Sequence, residues 1–201
     1  MIHWPRTIKP LVLLAALAAA LALVPSASAS SCGDRAVSQP FAPWGDANDY
    51  FRLAGGGFEN SLDGWNLAYG NVWFGSNQPW WLDGQQTGSW SVRLSSGASL
   101  VSQSFCAARE ENVIRMFVRN SGRAGSWLSV TAHIVTDAAS WDEQIGWFDG
   151  ASKVWSLSPQ LTLWDAGTAS DQAEVTLTFE TGGAWGTWGI DDVYVDPFRS
   201  T

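Results

Sequence analysis

From residue 30 onward helical periodicity is nearly absent, and alternation of apolar and polar positions with a period of two is common. Trp90, Val92 and Leu94 alternate with Ser91 and Arg93, and Ile114, Met116 and Val118 with Arg115, Phe117 and Arg119. Leu128, Val130, Ala132 and Ile134 alternate with Ser129, Thr131 and His133, and Val175, Leu177 and Phe179 with Glu174, Thr176, Thr178 and Glu180. Such segments, rich in branched and aromatic residues, predict half-buried strands. Shorter strands are expected at Phe58 to Glu59, Trp65 to Tyr69, Leu100 to Phe105, Ile145 to Phe148, Leu161 to Trp164 and Trp188 to Val195. Turn-forming clusters separate them, among them Gly75-Ser76-Asn77, Asp83-Gly84, Asn120-Ser121-Gly122 and Thr181-Gly182-Gly183. About ten short strands, each with one apolar face, imply two sheets packed face to face. The expected fold is all-β, a jelly-roll β-sandwich following an N-terminal signal peptide.

The first 29 residues break this pattern. Arg6 and Lys9 precede an unbroken apolar run, Leu11 to Val24, and Ala27-Ser28-Ala29 offers a small-x-small cleavage site. This predicts a secretory signal peptide rather than a membrane anchor, because the run falls short of the ~20 residues that span a bilayer. Lipidation at Cys32 is the lesser alternative, since the Leu usual three residues before a lipidated Cys is missing. The expected organisation is a signal peptide at 1–29, an irregular arm at 30–49, and the sandwich at 50–201 with a short C-terminal tail. The chain has 11 basic and 19 acidic residues; losing Arg6 and Lys9 leaves nine against 19, a mature charge of −10. That charge argues against nucleic-acid partners and against stable association with anionic membranes. Two cysteines in an exported chain, Cys32 and Cys106, predict one disulfide that ties the arm to the domain.

The stretch "AGGGFENSLDGW" (Ala54 to Trp65), taken with "WGIDDVYVD" near the end, resembles the galactose-binding-like jelly rolls, and among them the carbohydrate-binding modules. The resemblance covers about Leu53 to Pro197, and the whole chain looks similar to small secreted proteins of actinobacterial type. It implies a structural calcium joining the first and last strands. Glu59 and Asp191 match carboxylate ligands and the carbonyl of Gly57 matches a backbone ligand, with Asp192 a rival to Asp191. Calcium takes six to eight oxygens, and a glycine run lets backbone approach an ion closely. A break in the alternation at Asp191-Asp192 predicts a bulge.

The mature chain holds 13 tryptophans, and most must fill the core. Those out of phase or in loops are candidates for a sugar platform, because an indole buries the C–H face of a pyranose while nearby polar groups orient it. The candidate ligand-binding residues are Trp127, His133, Arg115, Trp141 and Trp147. No G-x-S-x-G or H-E-x-x-H occurs, and His133 is the single histidine after the signal. The expected function is therefore non-catalytic binding of a glycan or cell-envelope polysaccharide outside the cell. A structural or protein-interaction role is the alternative, and a glycosidase or lyase the lesser one. Oligomeric state is left open.

Overall fold

The computed structural model describes residues 32, 33, 35–59, 61–82, 88–164 and 172–196. The expected signal segment, the Asp83-Gly84 turn and the C-terminal tail lie outside them. The alternating segments form eleven strands among the described residues. These are β1 (Phe51–Arg52), β2 (Asn66–Phe74), β3 (Trp90–Val101), β4 (Phe105–Ala108), β5 (Val113–Asn120), β6 (Ser126–Val135), β7 (Ser140–Asp149), β8 (Ser156–Leu157), β9 (Leu161–Thr162), β10 (Gln172–Gly183) and β11 (Thr187–Asp196). They make one antiparallel sheet in the order β7-β6-β10-β3-β11-β5-β8.

The sheet folds over along β3. Ser99, Leu100 and Val101 pair with β10, whereas Val92 to Ser95 pair with β11. Between the two halves Gly97 adopts φ +82°, and the neighbouring β2 slips register around Tyr69, at φ +58°. One layer is β7-β6-β10 with β4 and the far half of β3. The other is the near half of β3 with β11, β5, β8 and β9. Their inner faces meet in the jelly-roll sandwich expected from the alternation. Phe148 of β7 touches Trp188 of β11 with ring centroids 6.4 Å apart.

The in-phase residues Val92, Leu94, Ile114, Met116, Leu128, Val130, Ala132, Ile134, Val175, Leu177, Phe179 and Ile190 are all buried in this core. Burying each of the larger aliphatic or aromatic ones stabilises the fold by about 1.5–3 kcal/mol. Trp65 and Trp188 join them, while Trp90, expected in the core, is half-buried. Phe58-Glu59 is not a strand; Phe58 sits at φ +53° in a turn and packs its ring on Trp65.

A second, smaller core lies on the outer face of the second layer. It joins Phe41 and Tyr50, Leu82, and Phe117, Trp155 and Tyr194. Phe117 occupies a polar-phase position on β5 yet is fully buried, because Trp80 stacks on it at 5.1 Å and Trp44 and Phe41 close over it. The arm is thus packed in place. Ser38 bridges to Tyr50, a 3-10 turn at Ala42–Trp44 ends on Gly45 at φ +80°, and the Cys32–Cys106 disulfide anchors its start.

Candidate functional site

The glycine-rich opening and the last strand do meet. Val193 N–H donates to the Gly56 carbonyl at 3.0 Å, and Leu53 N–H to the Val193 carbonyl at 2.9 Å. A Cβ on Gly56 would stand 3.0 Å from the carbonyl oxygens of Leu53 and Val193, so glycine permits the approach. The expected bulge is there: register shifts between Asp191 and Tyr194, with Asp192 at φ +47°.

The bulge turns two carboxylates into the junction. Asp191 accepts from Gln78 N–H at 3.0 Å and from Asp192 N–H at 2.9 Å. Asp192 accepts from Gln78 Nε2 at 2.9 Å and pairs with Arg52 Nη1 at 3.2 Å. Glu59 accepts from the N–H groups of Ser89 and Trp90, at 2.9 and 3.0 Å. Burial pushes the pKa of Asp191 up, and the adjacent Asp192 charge adds to it. Burial raises that of Asp192 too, against the hydrogen bond from Gln78 and the Arg52 charge. Gly57 borders this group: a Cβ there would lie 3.0 Å from Arg52 Nη1 and 3.3 Å from Asp192 Oδ1. These carboxylates already face N–H donors, and Arg52 supplies a positive charge beside them. Among the described residues no group of three or more acidic, His or Cys side chains is arranged to hold a metal. As folded, the Glu59 and Asp191 oxygens are engaged by N–H donors that an ion would have to displace.

The outer face of the first layer gathers other candidates. Trp127 on β6 and Trp147 on β7 stack with ring centroids 4.9 Å apart and planes 23° from parallel. Trp127 lies over the backbone of β10: a Cβ on its register partner Gly182 would fall 2.3 Å from the indole Cζ2. The Thr181-Gly182-Gly183 cluster, expected as a turn, therefore continues β10 and provides a bare seat for the ring. Trp147 covers this pair, remains 49% exposed, and donates its Nε1–H to Asp149 at 3.2 Å. Along the same face, register aligns Thr178, Thr131 and Gln144 in one row and Thr176, His133 and Asp142 in the next. His133 Nδ1 is 2.7 Å from Asp142 Oδ1, and both side chains are open to solvent. Among the described residues Asp142 is the hydrogen-bond partner of that ring.

Two candidates sit elsewhere. Trp141 pairs with the inward Ile134 and packs against the main core. Simple alternation places Trp141 and Trp147 on one face, but a bulge at Ile145, where Val130 pairs with Gly146 and Thr131 with Gln144, reverses the phase between them. Arg115 belongs to the second layer. It pairs with Asp46 at 2.5 Å, donates to the Ser158 carbonyl at 2.8 Å and lies over the Phe41 ring, which makes it a clasp for the arm. Gly182 and Asp149 complete the aromatic site and were not legible in the sequence, because their roles depend on which residues lie across the ladder.

A separate cavity of about 540 Å³ lies beside the disulfide, against Phe51, Trp65, Gln103 and Ser104. Both of its cations are taken up, Arg35 by Glu111 and the Cys106 carbonyl and Arg52 by Asp192.

No protein-family model matches the sequence, and no curated protein does. Solved structures do match the fold. The Clostridium thermocellum endo-1,4-beta-D-xylanase 10B CBM22-1-GH10 modules, complexed with xylohexaose, are 17% identical at a TM-score of 0.50, over 69% of this chain and 27% of that one. TmCBM61, in complex with beta-1,4-galactotriose, is 16% identical at a TM-score of 0.45, over 74% and 98% of the two chains. The CBM22-1 xylan-binding domain of Paenibacillus barcinonensis Xyn10C is 14% identical at 0.45, over 69% and 88%. The all-β sandwich of this chain is similar to carbohydrate-binding modules in fold.

Proposed function

We propose that this chain is a secreted, non-catalytic domain that binds a glycan of the cell envelope or a related polysaccharide on the outer face of its first layer. The observation that carries the proposal is the Trp127–Trp147 stack, half-open to solvent and seated on the glycine backbone of β10. A rigid, preoriented indole presents a flat apolar surface at little entropic cost, and the neighbouring Asp149, Gln144 and Thr131 offer partners for sugar hydroxyls. The fold shared with carbohydrate-binding modules supports the same reading. Export is supported by the leader-like N-terminus and by the Cys32–Cys106 disulfide. The test is intrinsic tryptophan fluorescence during titration with a polysaccharide panel, backed by pull-down on insoluble cell wall. A response that disappears in Trp147→Ala supports the proposal; no response across the panel overturns it in favour of a protein-binding role.

Calcium enters only as a subsidiary part, an ion recruited to Glu59 and Asp191 on displacing their present N–H donors, with the Gly57 carbonyl as a further ligand. Chelator that lowers the melting temperature by several degrees supports it, and an unchanged melt removes it.

A further inference from the structure

The outer face of the second layer carries a different chemistry. Gly189 of β11 pairs with Arg93 of β3 on one side and with Arg119 of β5 on the other. Two strand spacings put the Cα atoms of the two arginines about 10 Å apart, and the residue between them has no side chain. The space is needed: a Cβ on Gly189 would stand 3.0 Å from Arg119 Cγ and 2.9 Å from Trp155 Cη2. Both guanidinium groups are held by aromatic rings, Arg93 over Trp73 at 4.1 Å and Arg119 over Trp155 at 4.9 Å. Arg119 also hydrogen-bonds Ser76 Oγ. With Lys153, Asn120 and Thr187 they line an open cleft of about 300 Å³ whose lining contains no carboxylate.

This concentration of positive charge runs against the composition, since the chain carries a net charge of −8. Arg35, Arg52 and Arg115 each have a carboxylate partner, but no ion pair among the described residues involves Arg93, Arg119 or Lys153. Burial and the charge of Arg93 both push the Arg119 pKa down, so the cations repel one another without internal compensation. Two guanidinium forks with a common opening suit a planar or tetrahedral oxyanion. The Trp73 indole, 39% exposed, suits the ring of a sugar that bears it, and the Thr187 side chain at the cleft wall suits a sugar hydroxyl.

We propose that this cleft is a second binding site, separate from the Trp127–Trp147 face, for an anionic sugar whose carboxylate or sulfate bridges Arg93 and Arg119 across Gly189. Lys153, on its long flexible stem, closes on the same group.

The test is calorimetric titration of the mature, disulfide-bonded protein with trigalacturonate, its fully methyl-esterified counterpart, a sulfated disaccharide that carries no carboxylate (neocarrabiose 4-sulfate) and inorganic sulfate. At least one charged sugar is expected to bind, more weakly as salt is raised, and the methyl ester is expected to give no heat. Trigalacturonate and the sulfated disaccharide tell carboxylate from sulfate recognition. Arg93→Gln and Arg119→Gln are each expected to weaken the charged sugar roughly tenfold, as for loss of one charge-assisted hydrogen-bonding group. Should Arg119→Gln unfold, Arg93→Gln decides alone. The proposal is overturned by equal binding of the methyl ester, by unaltered affinity in Arg93→Gln, by inorganic sulfate binding as tightly as the sugars, or by no charged sugar binding at all.

Discussion

Trp147 lies on Trp127 with ring centroids 4.9 Å apart, and Trp127 in turn lies on the bare backbone at Gly182. Three strands thus contribute one layer each to a stacked surface. Because the lower ring is seated by the fold, the upper ring has few alternative positions. Trp147→Ala should leave the melting temperature within about 2 °C, as expected for a half-exposed side chain outside the core. It should abolish the fluorescence response to a binding polysaccharide. Gly182→Val should reduce the same response by displacing Trp127, and near-ultraviolet circular dichroism would register the loss of ring coupling.

The disulfide between Cys32 and Cys106 closes a separation of 74 residues. In the chain-entropy treatment a loop of that size is worth on the order of 4 kcal/mol. Cys106→Ser, or reduction of the wild-type protein, should lower the melting temperature by roughly 10 °C. Limited proteolysis should then cut first in the start of the arm, before the Ser38–Tyr50 bridge, near the exposed Val37. A reduced protein melting at the oxidised temperature would contradict this.

Phe41 brings the arm into the structure. Its ring lies 4.8 Å from Tyr50 and 5.3 Å from Tyr194, and it is fully buried. Phe41→Ala should destabilise by about 3–5 kcal/mol, the range for a large aromatic removed from a packed site. Denaturant titration at constant m-value would measure it. The loss should exceed that of Trp147→Ala by several fold, although Phe41 lies in the segment with the weakest strand pattern.

Asp46 gives the arm a pH dependence. Burial raises its pKa, but hydrogen bonds from Tyr50, Arg115, Asn48 and Gln160 together outweigh burial and leave it below the usual carboxylate value. A lowered folded-state pKa means stability that is complete above the unfolded pKa, near ~3.9, and lost as pH falls through the folded value. The melting temperature should therefore drop on acidification below about pH 4. In Asp46→Asn the starting stability should be lower and this part of the acid slope absent. A slope identical in the two proteins would remove Asp46 from the explanation.

The local pattern of the chain was enough for the long strands, though not for the short β1 and β8 or for the end of β10, and it was enough for their grouping into an all-β sandwich and for the cysteine pairing. Alternation depends only on neighbours two residues apart, and two cysteines have one intramolecular pairing available. The bulge at Asp191-Asp192 was legible for the same reason, as a break of phase inside one strand. The destination of each side chain was not. Trp141 and Trp147 share a phase in sequence, yet the single-residue bulge at Ile145 sends one inward and the other to the surface. Phe117 sits among arginines on β5 and is buried because an arm about 70 residues away folds over it. Arg115 and Arg119 share a strand face, but Asp46 captures the first while Gly189 opens space beside the second. Glu59 and Asp191 come to the same junction, where the partners that answer them are backbone N–H groups brought in from Gln78, Ser89 and Asp192. Strand existence is a local property of the chain. Which face is covered, and by what, is settled only when the layers, the arm and the loops compete for the same surface.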